Sequence, residues 1–163
     1  MAAAVQTKSP VIIQASRGAL KYSDMDYLAA LLKCACDKHP DIPICIHLDH
    51  GDTLESCKKA ISLGFSSVMI DASHHPYDEN VKITKEVVEY AHAHGVSVEA
   101  ELGTLGGIEE DVSGTVQLTD PKQAGEFVKA TKVDALAVAI GTSHGAYKFK
   151  VGTDVKLAID LVG

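Results

Sequence analysis

Five short apolar runs, rich in valine, isoleucine and alanine, punctuate the chain at residues 11–15, 44–48, 67–70, 96–100 and 135–140. Runs of this length and composition read as strands buried on both faces. Helical patterns fill the intervals. Residues 27–36 are rich in Ala and Leu and close before Pro40. Asp52 with Glu55 three residues on makes a capping-box-like start, and Gly64 ends that segment. Val81, Thr84, Val88 and Ala91 recur at helical spacing until Gly95. Asp120 followed by Pro121 reads as a cap and a first-turn proline, with Phe127 and Val128 expected to face inward. Alternating strands and helices force a parallel sheet with right-handed crossovers. An open doubly wound sheet and a (β/α)₈ barrel both satisfy the pattern. A complete barrel takes about 250 residues, and this chain has 163. Five strands and five or six helices make about five βα units. Residues 154–162 suit a further short helix.

Composition narrows the partners. The formal net charge is −7, with 15 basic against 22 acidic residues, and Arg17 is the single arginine. Nucleic acid would require clustered Lys and Arg and is excluded as the main partner. No apolar run approaches the ~20 residues of a membrane span. The first ten residues lack the apolar stretch of a secretory signal. Cys34, Cys36, Cys45 and Cys57 lie in apolar surroundings without C-x-x-C spacing. They read as reduced core thiols of a cytoplasmic protein.

A polar group stands at the carboxyl end of every expected strand. These are Ser16-Arg17-Gly18, His47-Leu48-Asp49-His50-Gly51, Asp71-Ala72-Ser73-His74-His75, Glu99-Ala100-Glu101 and Gly141-Thr142-Ser143-His144-Gly145. Parallel α/β proteins bind ligands at this edge. Imidazole and carboxylate are common zinc ligands. His50 and His144, from different strands, would converge on one ion, and Asp49 beside His50 would move a proton on a bound substrate. His47 reads as a satisfied core histidine. Asp71 and Glu101 either hold a second metal position, support the ligands by hydrogen bonds, or cap the next helix. His74 and His75 read as surface, and His92 and His94 as last-turn helix residues favoured by the dipole. Ser16, Arg17 and Lys148 are the candidates for anion binding. Residues 103–119, with glycines at 103, 106, 107 and 114, form a long irregular segment suited to a moving loop.

The runs 46–51 and 64–71 resemble the class II, zinc-dependent fructose-bisphosphate aldolases. So do Val96-Ser97-Val98-Glu99-Ala100-Glu101-Leu102-Gly103, Gly106-Gly107-Ile108-Glu109-Glu110-Asp111, and the stretch 133–147. The resemblance covers about residues 10–150. It implies a (β/α)₈ barrel, a homodimer or larger, and zinc-dependent retro-aldol cleavage of fructose 1,6-bisphosphate in the glycolytic cytoplasm. It makes His50 and His144 zinc ligands and Asp49 the group that takes the C4 hydroxyl proton. Glu109 would donate a proton to C3. Asp71 and Glu101 match carboxylates near the metal, including an alternative position for a second divalent ion. Gly145 and Lys148 match a phosphate and monovalent-cation region, and Ser16 matches a substrate contact.

The chain also departs from that family. No histidine follows His144, so the family's third zinc ligand is absent, as are its later phosphate loop and its first βα unit. On this reading residues 1–9 are a leader or remnant, 10–150 a partial barrel truncated at both ends, and 151–163 a divergent tail. Three other readings stand beside catalysis of fructose bisphosphate. One is a tagatose-bisphosphate aldolase relative. Another is a noncatalytic fragment that acts by pairing with itself or with a longer subunit. The last is a doubly wound phosphosugar binder without metal.

Overall fold

A computed structural model of the chain describes residues 1–105, 107–108, 116–145 and 156–162, with 107–108 and 144–145 described by backbone alone. In chain order the elements are α1 (Ala2–Thr7), β1 (Val11–Ser16), α2 (Arg17–Ser23), α3 (Met25–Lys38), β2 (Ile44–Gly51), α4 (Leu54–Ser62) and β3 (Ser67–Ile70). There follow α5 (Tyr77–Ala93), β4 (Ser97–Leu102), β5 (Gly107–Ile108), α6 (Pro121–Thr131), β6 (Ala135–Val138) and β7 (His144–Gly145), and last a 3₁₀ turn at Ile159–Leu161. That turn falls inside the helix expected over 154–162, whose first two residues lie outside the described ones. α1 falls within the first nine residues and buries Ala4.

Strands β1, β2, β3, β4 and β6 form one sheet in that order, and every pairing is parallel. A doubly wound sheet reverses its strand order at a switch point, whereas a barrel adds each strand beside the last. The strictly sequential order makes this sheet half of a barrel. One face packs on the helices through Leu48, Val68, Ile70, Val98 and Ala100, all at most 1% exposed. The strands are not buried in apolar surroundings on both faces, as their composition suggested. Their other face carries polar groups, among them His47, Ser67 and Glu99.

Local chemistry explains the helix ends. Thr53, not Asp52, caps α4: its Oγ1 accepts from the Ser56 amide at 3.1 Å, and Ser56 Oγ accepts from the Thr53 amide at 3.2 Å. Asp52 is drawn away by the Arg17 guanidinium, 2.7 Å distant. Asp120 caps α6 as expected, accepting from the Gln123 amide at 2.9 Å. Phe127 is fully buried on that helix, but Val128 is 38% exposed. At 100° per residue the buried stripe of this helix passes through Phe127 and Thr131, one turn on, and leaves Val128 at its edge. The same geometry corrects the cysteines. Only Cys57 is in the core, where burial pushes its thiol up to about 12. Cys34 is exposed because Leu32 holds the inner face of α3.

The irregular segment after β4 has a fixed foot. Thr104 and Gln117 form an antiparallel bridge. The Thr119 hydroxyl donates to the Leu102 carbonyl and accepts from the Ala139 amide at 2.7 Å. Gly103 sits beneath it at φ +89°, where a Cβ would lie 2.6 Å from Thr119 Oγ1 and 2.8 Å from the Gln117 carbonyl. Gly103→Ala is therefore expected to cost about 3 kcal/mol, from left-handed strain and overpacking together. Urea unfolding measures it, and a loss below about 1 kcal/mol would contradict the packing described.

Candidate functional site

The end of β2 is built around a bulge. Leu48 pairs with Val68 but Gly51 pairs with Ile70, so β2 spends one more residue than β3 over this interval. Bulges re-aim side chains. Here the extra length accompanies His50 at φ +50°, an uncommon conformation for a residue other than glycine. Gly51 then lies against β3, where a Cβ would stand 2.6 Å from the Met69 carbonyl and 3.1 Å from Cys57 Sγ. The Gly51 carbonyl accepts from the Asp71 amide at 2.8 Å. The His-Gly pair thus closes the bulge and delivers His50 to Asp71.

His50 Nδ1 lies 3.0 Å from Asp71 Oδ2 and 3.9 Å from Glu101 Oε2. Asp71 Oδ1 also accepts from the Ser73 amide at 3.0 Å. The carboxylate therefore orders its own turn while facing the histidine. Glu101 is 6% exposed. One ligand atom from each of His50, Asp71 and Glu101 falls within 4.8 Å of the others. The three come from the ends of adjacent strands β2, β3 and β4, where β2 and β4 flank β3.

The electrostatics suit a cation. The hydrogen bond to Asp71 is the chief cause holding the His50 pKa up at about 9, against burial, with help from the charges of Asp71, Glu101 and Asp49. Burial alone would raise Asp71, but hydrogen bonds from His50 and Ser73 carry it down to about 2. The raised His50 thus holds a proton 3.0 Å from the Asp71 carboxylate and 3.9 Å from the Glu101 carboxyl group in a half-buried space. A divalent ion with N and O ligands would take the place of that proton, and the donor set fits it.

The other expected residues are placed as follows. Asp49 stands beside Ser16 in the β1–β2 register. Ser16 is the N-cap of α2, its Oγ accepting from the Ala19 amide at 3.2 Å. His144 and Gly145 form β7, pairing with Gly107 and Ile108 of β5. The backbone directly preceding Glu109 therefore runs beside His144. Glu109 and Lys148 lie outside the described residues. His47 is a buried core histidine with Nδ1 2.8 Å from Ser67 Oγ, and burial lowers its pKa. His74 and His75 are exposed. His94 Nδ1 is 2.8 Å from the Tyr90 carbonyl, and His92 bonds Asp134 across to the next loop at 2.8 Å. Sequence reasoning missed Asn80, which is buried and donates to the Glu101 carbonyl at 3.0 Å. Its position on the Val81–Thr84 side of α5 was the available signal.

The model of the family "Fructose-bisphosphate aldolase class-II" matches residues 1–163. The chain belongs to the class II fructose-bisphosphate aldolase family. The fructose-bisphosphate aldolase of Giardia intestinalis is 78% identical over 162 residues, covering 99% of this chain and 50% of that protein. That of Helicobacter pylori strain J99 is 55% identical over 148 residues, covering 89% and 48%. The crystal structure of the YdjI aldolase from Escherichia coli K12 superimposes with a TM-score of 0.83 at 36% identity, covering 99% of this chain and 55% of that one. This class II aldolase chain spans about half the length of the relatives it matches. The five parallel strands of its main sheet correspond to half of the aldolase barrel. The family is generally metal-dependent, and His50, Asp71 and Glu101 form a group that could hold an ion.

Proposed function

We propose that the chain carries the catalytic half of a zinc-dependent aldolase that cleaves fructose 1,6-bisphosphate to dihydroxyacetone phosphate and glyceraldehyde 3-phosphate. The step would belong to glycolysis and gluconeogenesis in the cytoplasm. The convergence of His50, Asp71 and Glu101 at the carboxyl edge of the sheet carries this reading. His50 and His144 would hold the catalytic zinc, with Asp71 and Glu101 beside it or holding a second divalent ion. A bound zinc supplies a Lewis acid at the substrate ketone. Asp49 takes the proton of the C4 hydroxyl as the C3–C4 bond breaks, and Glu109 returns a proton to C3. Ser16, Gly145 and Lys148 bind the phosphosugar, the last two with a monovalent cation. In a complete barrel the protein would be a homodimer or larger. Among the described residues no helix is long and apolar enough to cross a membrane.

The test is cleavage of fructose 1,6-bisphosphate by the zinc-loaded chain, with and without chelator. Chelator-sensitive cleavage that falls at least about a hundredfold in Asp49→Ala supports the assignment. A folded, zinc-binding chain without cleavage would instead favour a fragment that needs a longer partner, consistent with its covering half of its relatives.

A further inference from the structure

Asn80 is 1% exposed and Thr84 fully buried, on the face of α5 that packs against the sheet beside Val87, Val88 and Ala91. A buried amide is costly unless its hydrogen bonds are made. Both ends of this one are used. Nδ2 donates to the Glu101 carbonyl at 3.0 Å, and Oδ1 accepts from Thr84 Oγ1 at 3.1 Å. The acceptor is informative. On the β3 side the register of β4 ends at Ile70 with Ala100, so Glu101 lies one residue beyond that ladder. Asn80 supplies a side-chain donor where strand pairing with β3 stops. One residue later the Leu102 carbonyl is held by the Thr119 hydroxyl. Two consecutive peptides at the exit of β4 are therefore held by side chains from other elements.

We propose that Asn80, oriented by Thr84, is a positioning residue for the metal centre: it fixes the Glu101 peptide and so aims the Glu101 carboxylate at His50 and Asp71. This rests on reading those three residues as metal ligands. Groups behind the ligands set their direction, and losing one typically costs about 10- to 100-fold in metal affinity.

Cobalt(II) titration of the full 163-residue chain, read by competition with a chromophoric chelator, tests it. Asn80→Leu keeps the approximate volume and removes the donor, and should weaken cobalt binding about tenfold. Thr84→Val should weaken it less, about threefold, and Thr84→Ser should restore it. Thr131→Val is the control. Thr131 is buried and bonds the Phe127 carbonyl at 2.8 Å on α6, so its loss should lower the melting temperature without changing affinity. Affinity within about twofold of the parent in Asn80→Leu, while Glu101→Gln weakens binding, overturns the proposal and leaves the metal site standing. If Asn80→Leu does not fold, unchanged affinity in Thr84→Val overturns it equally. If neither Glu101→Gln nor His50→Ala weakens binding, the metal-site reading has failed and the positioning role falls with it.

Discussion

Affinity of the chain for zinc is expected to rise about tenfold per pH unit between about pH 6 and about pH 9, roughly a thousandfold in all. The cause is the proton that His50 carries when no metal is bound. Its hydrogen bond to Asp71 raises its pKa to about 9, so across this window each binding event must expel nearly one proton. Asp71, held down at about 2, stays ionised throughout and adds nothing to the slope. Stability of the metal-free fold runs the other way. The raised His50 pKa stabilises it fully below the ordinary value of 6.5, and that contribution is lost as pH rises through about 9. The depressed Asp71 pKa stabilises it above 3.8, and that contribution is lost as pH falls through about 2. Calorimetric zinc titrations in buffers of different ionisation heat count the proton directly. His50→Ala should flatten the slope as well as weaken binding. A parent chain whose zinc affinity does not change over this range would show that His50 is not protonated against Asp71, or is not a ligand.

The parallel βα architecture was legible in the apolar runs, whereas the choice of a barrel over a doubly wound sheet rested on the family resemblance until the strand order decided it. Runs of Val and Ile favour strands with a buried face, and helical intervals between them favour parallel pairing. The position of the site followed from the same rule, since Asp71 and Glu101 end their strands wherever the strands lie. Less visible was anything decided by tertiary partners. Ser16-Arg17-Gly18 resembles a turn, yet Ser16 starts α2, since its hydroxyl satisfies a helix amide. Asp52 has the chemistry of a cap, but Arg17 engages it and Thr53 caps instead. The bulge that turns His50 toward Asp71 leaves only the adjacent Gly51 as a trace in the sequence. Asn80 reads as an ordinary polar helix residue in Asp78-Glu79-Asn80. Its bond to the Glu101 carbonyl at the end of β4 gives it a reason to be inside.

Phe127→Ala is expected to remove about 4 kcal/mol of folding stability, the largest loss from any single truncation in this core. Phe127 heads the fully buried side chains by volume. Its ring meets Tyr77 edge-on, with centroids 6.0 Å apart at 64°, and so ties α6 to the first turn of α5. Edge-on ring pairs add about 0.5–1.5 kcal/mol beyond the area they bury. A domain of this kind commands only about 5–15 kcal/mol in total. The melting temperature should therefore fall by about 8–16 °C. The neighbouring Val128, 38% exposed, is the internal comparison: Val128→Ala should stay within about 0.5 kcal/mol. Equal losses at the two positions would mean that both face the core, as the sequence pattern had suggested, and that the helix is turned differently. The ligand cluster itself draws on β2, β3 and β4, not on α6. Phe127→Ala protein that remains folded should accordingly bind cobalt(II) with unchanged affinity, whereas Asn80→Leu should bind it more weakly even at temperatures where it is fully folded.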